Sequence, residues 1–255
     1  MTRAVRSSGL DRRIVVGLMA AILPGAAVFA GGAPKIGVRD VVKMLMDAEK
    51  GKRPVFAGQD LSGLNLAELD FKEADLARCN LFGADLTDSN LEGADLTGAM
   101  LDRCTLVRTR FSNAILQDAS MRRPSVFSDM RFDARDLPVF RKANMARVRL
   151  TARLDGADFR GASLAGANFT LWEERDLGGA PTTGLIRCDF TDAIMTGTNV
   201  RGLSLASSVF RNVDLSGADL RDTDFSGADL TGATLTGAKV EGAMFDGVIG
   251  MAATP

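Results

Sequence analysis

The chain has 255 residues, 46% of them hydrophobic, with 31 basic and 32 acidic side chains and a net charge of -1. That length and composition suit one large or two small globular domains with a sizeable core. There is no His and no Tyr, so His general acid/base catalysis, Ser-His or Cys-His nucleophile pairs and His-ligated metals are all excluded.

The first residues, MTRAVRSSGLDRRIVVGLMAAILPGAAVFAGG, place Arg3, Arg6, Arg12 and Arg13 ahead of an apolar run from Ile14 to Leu23. Pro24-Gly25 follows, then small residues ending Val28-Phe29-Ala30. The pattern predicts a secretory signal peptide over 1–30, cut after Ala30; a membrane anchor needs about 20 apolar residues, and this run is shorter. The Arg12-Arg13 pair also permits a twin-arginine signal. Removing this segment takes away four Arg and one Asp and leaves a mature chain of net charge -4. A periplasmic or otherwise exported, envelope-located protein with no membrane span after cleavage is expected.

Residues 31–55 contain VRDVVKMLMDAEKG, in which Val41, Val42, Leu45 and Met46 recur at helical spacing and Gly51 is placed to stop the helix. A short helix from Val38 to Gly51 is expected, serving as a cap on the N-terminal end of the domain.

From residue 56 to 247 a large apolar residue recurs every five positions. The first run goes from Phe56, Leu61 and Leu66 to Met121 and Val126, the second from Leu154 to Phe169, and the third from Leu185 to Phe245. Five fits neither the helical period of 3.6 nor the strand period of two. Two places before each of these central residues stands mostly Ala, Ser, Thr or Cys, and one place before mostly Asp or Asn. Fixed self-similarity of this kind marks a solenoid, in which each unit buries its apolar residue only against its neighbours.

The segments ADLTG, ADLRD, ADFRG and ANFTL resemble the pentapeptide-repeat family, whose motif is A-(D/N)-L-x-x. The resemblance implies an all-β fold: a right-handed, quadrilateral parallel β-helix with one pentapeptide per side and twenty residues per coil. Central Leu or Phe and the small residue two before it would point inward. Coils stacked at about 4.8 Å would align residues twenty apart, and about nine coils would make a rod on the order of 43 Å long.

Cys79, Cys104 and Cys188 all stand two places before a central residue. They read as buried thiols filling the small inward position and not as a disulfide or reactive group.

The period breaks twice. Near 127–150, Phe127, Phe132 and Leu137 suggest one phase and Phe140, Met145 and Leu150 another, between Pro124 and Pro138. Near 171–184, LWEERDLGGAPTTG holds the only Trp, and the central residues Phe169 and Leu185 are sixteen apart. A protruding loop is expected there, with Trp172, Glu173 and Glu174 as a possible interaction loop. Residues 248–255 form a C-terminal cap or tail, with Val248, Ile249 and Met251 available to fold over the last coil.

Charge is uneven. Residues 58–102 carry two basic and ten acidic groups, whereas residues 103–153 carry twelve and four. Asp88 and Arg108 are twenty apart, as are Asp102 and Arg122, so both should pair across coils. Arg103 and Arg123 are also twenty apart and repel unless an anion bridges them. A solvated charged face is the simplest reading; a contact for an anionic partner at Arg103, Arg108, Arg122 and Arg123 is the functional one.

No catalytic constellation, cofactor site or metal site is recognisable. Asp75, Asp85, Asp219 and Asp229 recur as repeat chemistry on a surface without a cleft. The waist between 103 and 153 has neither Tyr nor Trp, so direct nucleic-acid binding lacks its stacking platform. The expected function is that of an exported, non-enzymatic scaffold or protein-interaction module of the bacterial envelope, monomeric or dimeric end to end. The alternative is DNA mimicry and topoisomerase modulation, which the resemblance implies for some acidic dimeric members; the export signal and the basic waist count against it.

Overall fold

The computed structural model describes residues 35–48, 52–127, 133–170 and 183–251, all within the unit Gly31–Pro255. The segment 1–30 predicted as a signal peptide lies outside them, as do Trp172, Glu173 and Glu174.

Helix α1 spans Val38–Asp47. The backbone N–H of Gly37 donates to Asp40 Oδ2 at 2.9 Å, which fixes the entry. Val41 is fully buried, and Met44 and Leu45 pack on the core, the i, i+3, i+4 face expected of a capping helix. Met46, expected on that face, is 79% exposed; five residues past Val41, it points well away from the buried side. The helix is also shorter than its sequence pattern suggests. It ends at Asp47, where Ala48 turns extended (φ -59, ψ 116), and not at Gly51, which lies outside the described residues.

Beyond the helix the chain forms a parallel β-solenoid. Residues twenty apart pair in parallel from Val55 with Asp75 through Thr105 with Ser125, and again from Asp189 with Val209 to Asp229 with Ile249. Four pentapeptides therefore complete a coil, and their central residues stack in four columns. Column A runs through Leu96, Leu116 and Met145, and column B through Leu101, Met121 and Leu150. Column C includes Leu106 and Leu154, and column D Phe111 and Phe140. All of these side chains are buried.

One pentapeptide explains why five residues suffice. Leu76 N–H donates to the Asp95 carbonyl at 2.7 Å and Arg78 N–H to the Thr97 carbonyl at 2.8 Å, both in the next coil. Asn80 N–H donates to the Gln59 carbonyl in the previous coil at 3.0 Å, and Cys79 N–H closes a turn on the Leu76 carbonyl at 3.1 Å. The fifth N–H, of Ala77, has no backbone acceptor and donates to Asp75 Oδ1 at 3.1 Å. Every donor is thus placed. The Asp or Asn before the central residue is there because its side chain supplies the acceptor that the backbone cannot, as an N-cap residue does for a helix.

The small inward residues follow a second rule. Thr109, Ser208 and Thr223 donate their hydroxyls to the carbonyls of Leu86, Leu185 and Val200 at 2.9, 2.9 and 3.0 Å, central residues of the coil below. These hydroxyls are accommodated in the core by that acceptor; Ser89, equally buried two places before Leu91, has no partner for its hydroxyl among the described residues.

The interruptions are absorbed at corners. Arg110 pairs with Val139, 29 residues on, so nine residues are in excess between Val126 in column C and Phe140 in column D. That excursion contains a 3₁₀ turn, Ala134–Asp136. The five-residue step is regular again from Val139, and Phe140, Met145 and Leu150 are core residues. Val139 then pairs with Asp158, only 19 on, because Leu150 and Leu154 are four apart. Arg153 pairs with Gly184, 31 on, an excess of eleven between Phe169 and Leu185. Strands β1 (Ser120–Arg122) and β2 (Arg149–Thr151) pair in parallel across the first of these offsets.

Column D runs through all three irregularities without a step. Phe111, Phe140, Phe159, Phe190 and Phe210 stack ring on ring, with consecutive centroids 5.3, 5.1, 5.0 and 5.0 Å apart. In the last coil Leu235, Val240 and Phe245 are only partly buried. Val248 and Met251 pack on the core, but Ile249, expected to fold over the end, is 59% exposed and pairs with Asp229. It stands one place before a central position, where side chains face out.

Candidate interaction surface

The four sequence-selected arginines fall into two groups. Arg108 stands at the corner between columns C and D with φ 53. Its Nε and Nη2 donate to the two carboxylate oxygens of Asp88, and Nη1 to Asp136 Oδ1, all at 2.7 Å. Its backbone N–H also donates to the Asp136 carbonyl. Arg108 therefore ties the first excursion to the coil beneath it, and its hydrogen bonds hold the Asp88 carboxyl below the usual carboxylate range.

Arg103, Arg122 and Arg123 lie together at the edge between columns B and C. Arg103 (φ 59) and Arg123 (φ 50) occupy the same corner of consecutive coils. The Arg103 guanidinium sits over the Phe82 ring, 5.8 Å from its centroid, a cation–π arrangement on a ring that is 42% exposed. Arg122 pairs with Asp102, Nε to Oδ2 at 2.9 Å. Two further arginines that the sequence alone does not single out join this edge: Arg149, in register with Ser120, and Arg153, whose Nε donates to Asp155 Oδ2 at 3.0 Å.

Asp102 and Asp155 share an unexpected role. Ser120 and Gly184 stand where Asp or Asn would supply the missing acceptor. Instead the aspartate of the coil below supplies it: Asp102 Oδ1 accepts from Arg122 N–H at 2.9 Å, and Asp155 Oδ1 from Ile186 N–H at 3.0 Å. Asp102 also accepts from the Ser120 hydroxyl at 2.7 Å. Gly184 is required here, because a Cβ on it would lie 2.6 Å from Asp155 Oδ1. The signal in the sequence is a Ser or Gly at the capping place with an Asp one coil earlier.

The recurrent aspartates have ordinary duties. Asp75, Asp85 and Asp229 accept from Ala77, Thr87 and Thr231 N–H at 3.1, 3.0 and 3.0 Å, and Asp219 accepts from the Arg221 side chain at 2.8 Å. Among the described residues no group of three or more Cys, Asp or Glu could hold a metal ion. None of their helices is long and apolar enough to cross a membrane. The thiols of Cys79, Cys104 and Cys188 donate to the Phe56, Leu81 and Leu154 carbonyls at 2.9, 2.9 and 3.1 Å. Burial pushes each up to about 12, which removes the thiolate on which reactivity depends.

On column D, burial pushes Asp158 up, but hydrogen bonds from Arg160 and Arg141 outweigh it and hold the carboxyl at about 2. A folded-state value below the unfolded one, about 3.9, gives stability that is present above that pH and lost as pH falls from about 4 to about 2. Asp158→Asn is expected to flatten the fall of the urea midpoint across that window; identical pH slopes in variant and parent would exclude Asp158 as a contributor.

Column A differs from the others. Between its corners, where Asp118 and Arg147 form an exposed ion pair, its outward positions between Asp95 and Asp214 are Thr97, Ile115, Gln117, Asn144, Ala146, Ser163, Ala165, Ile194 and Thr196, with no charge among them. Ile115 and Ile194 are exposed there, as is Val55 at its start.

The repeat is also recognised by comparison with a known family. A family model of pentapeptide repeats matches in 8 copies, over residues 55–88, 89–123, 152–171, 185–222 and 214–249. The chain belongs to the pentapeptide-repeat family, and its fold is a β-helix. Among solved structures it is similar to HetL, a pentapeptide repeat protein involved in heterocyst differentiation regulation from the cyanobacterium Nostoc sp. Strain PCC 7120, at 25% identity over 76% of this chain and 77% of that one, with a TM-score of 0.26. It is also similar to a thylakoid-lumen pentapeptide repeat protein of Arabidopsis thaliana, at 20% identity over 69% and 77% of the two chains, TM-score 0.27. A third is full-length QnrB1, a plasmid-mediated fluoroquinolone resistance protein, at 19% identity over 75% and 91%, TM-score 0.34. No curated protein matches the chain.

Proposed function

We propose that this protein is an exported, non-enzymatic scaffold or interaction module of the bacterial envelope, built as a right-handed, four-sided β-helix that presents flat faces to a protein partner. The observation that carries this reading is column A. Four consecutive coils there present a strip of Ile, Ala, Thr, Ser, Asn and Gln whose only charges are the Asp118–Arg147 pair at its corner, depleted of charge as the centres of protein interfaces are. The basic n-region and apolar run before Ala30 support export. The partly buried Leu235, Val240 and Phe245 of the last coil support a monomer or an end-to-end dimer. DNA mimicry has less support, because the arginine edge interrupts the negative surface such mimicry needs.

The test combines location with surface. A C-terminally tagged chain is fractionated, its N-terminus sequenced, and its neighbours cross-linked in intact cells with and without Ala165→Arg on column A. A mature chain beginning at Gly31, in the envelope, with a cross-linked protein lost in A165R is expected. A full-length cytoplasmic chain overturns the export part, and cross-links indifferent to A165R overturn the role of column A.

A further inference from the structure

We infer that column A binds a second copy of this chain, side by side and antiparallel, about a two-fold axis that crosses the strip between Ala146 and Ala165. This rests on the reading of column A as the interaction strip and names its partner.

The outward ladder of column A runs Asp95, Ile115, Asn144, Ser163, Ile194 and Asp214, each bridged in parallel to the next. Read from either end, the order of side-chain types is the same: acid, isoleucine, uncharged polar, uncharged polar, isoleucine, acid. The second outward row repeats the symmetry, with Ala146 and Ala165 at its centre, Gln117 and Thr196 flanking them, and Thr97 and Ser216 beyond. These residues are stacked in register, because Asp118, Arg147 and Gly166 N–H donate to the Ala146, Ala165 and Thr196 carbonyls at 2.9, 2.8 and 2.8 Å. An isologous contact needs one patch that complements itself. Turning a second chain over about an axis parallel to the strands, between the coils of Ala146 and Ala165, sets Ile115 against the partner's Ile194 and Ala146 against the partner's Ala165. The two isoleucines, 37% and 48% exposed, then cover each other.

The corners obey the same symmetry. Asp118 and Arg147, paired at 2.7 Å, are the side chains that rise at the corner with column B. The turn sets them against the partner's Gly197 and Gly166, which have no side chain to meet them. On the other side, at the last place of the column D pentapeptides, Asn113, Lys142, Gly161 and Asp192 stack on consecutive coils. There Lys142 comes against the partner's Gly161 and lies one coil, about 4.8 Å along the axis, from the partner's Asp192. The axis repeats that opposite-charge contact, so it is made twice. At the rim Asp95 meets the partner's Asp214, and Arg53, 3.6 Å from both Asp75 and Asp95, stands beside them to offset the two carboxylates. Both long excursions leave from other corners, between columns C and D and between columns B and C, and none of the side chains used here belongs to them. At strand geometry the strip is about 24 Å long and about 10 Å wide. Each copy thus contributes on the order of 300 Å² with its corners, below the about 800 Å² per partner of a stable complex. The dimer is therefore a weak one, formed by concentration.

The test is a charge swap across the axis. The purified full chain is sedimented from about 10 μM to about 1 mM, a range chosen for an interface of this size. A monomer–dimer equilibrium with a dissociation constant on the order of 100 μM is expected. Lys142→Glu and Asp192→Lys each weaken it by about tenfold, because each sets like charges together at both copies of the contact. K142E/D192K restores it to within about twofold, and A165R, at the centre of the strip, abolishes it. The two single substitutions change the net charge in opposite directions, so a general charge effect does not weaken both. Lys142 and Asp192 are exposed, and unchanged melting temperatures verify that the variants are folded. Small-angle scattering of the dimer is expected to give a longest dimension close to the monomer's. A chain monomeric at about 1 mM overturns the inference. So does a dimer that K142E, D192K and A165R leave intact, a double variant without rescue, or a longest dimension nearly doubled, as in an end-to-end dimer. The scaffold reading fails separately: a purified chain that stays monomeric while cells yield a different protein cross-linked through column A keeps that reading and removes this one.

Discussion

Phe159→Ala is expected to lower stability by about 4 kcal/mol, the range for emptying a fully buried aromatic site. Phe159 is completely buried at the middle of the column D stack, with ring centroids 5.1 Å from Phe140 and 5.0 Å from Phe190. Truncation removes both ring contacts, worth about 0.5–1.5 kcal/mol each beyond area, and leaves a cavity between two coils that backbone pairing holds apart. Relaxation is therefore small, which places the cost toward the upper part of the range. Phe159→Leu, which keeps most of the volume, should cost about 1.5 kcal/mol or less. Urea midpoints of the two variants, read with the same slope, decide the matter; equal small losses would mean that the coils can close on each other.

The second large effect is at Asp102. Asp102→Ala removes the acceptor for the Arg122 N–H and the Ser120 hydroxyl, and breaks the ion pair between Asp102 and the Arg122 guanidinium. Leaving two nearly buried donors unsatisfied is expected to cost about 2–4 kcal/mol in all. Asp102→Asn retains an oxygen for the backbone donor and should cost about 1 kcal/mol. The contrast separates capping from charge: if the Asn variant is as damaged as the Ala variant, the ion pair and not the cap is what matters. Hydrogen exchange at Arg122 N–H gives a local readout of the same question.

Much of this architecture is legible in the sequence because its period is set by the core. A central Leu or Phe every five residues, with a small residue two places before it, is enough to place Leu61, Cys79, Leu81 and Phe225 inside. Wherever the coil is twenty residues long, cross-coil partners are found by counting, as Arg108 and Asp88 or Arg122 and Asp102 show. Counting fails across the irregular coils. Arg147 pairs with Asp118, 29 residues away, and Asp155 caps Ile186, 31 away. Neither can be had from a fixed period, because excess residues at a corner shift every later pair. The tie from Arg108 to Asp136 is hidden for the same reason. Helix α1 is misjudged at Met46 because four apolar residues at near-helical spacing do not say which of them the first coil receives.

The unbroken phenylalanine column has a consequence for how such a chain changes its length over generations. A corner can gain nine or eleven residues or lose one, and the next aromatic side chain still settles on the last. Position along the axis is kept by what lies in the middle, and the linear count of residues drops out. Copying errors that would wreck a fold dependent on fixed spacing become raw material here: a stretch added at an edge is carried outward as a new appendage, while the ladder beneath it closes as before.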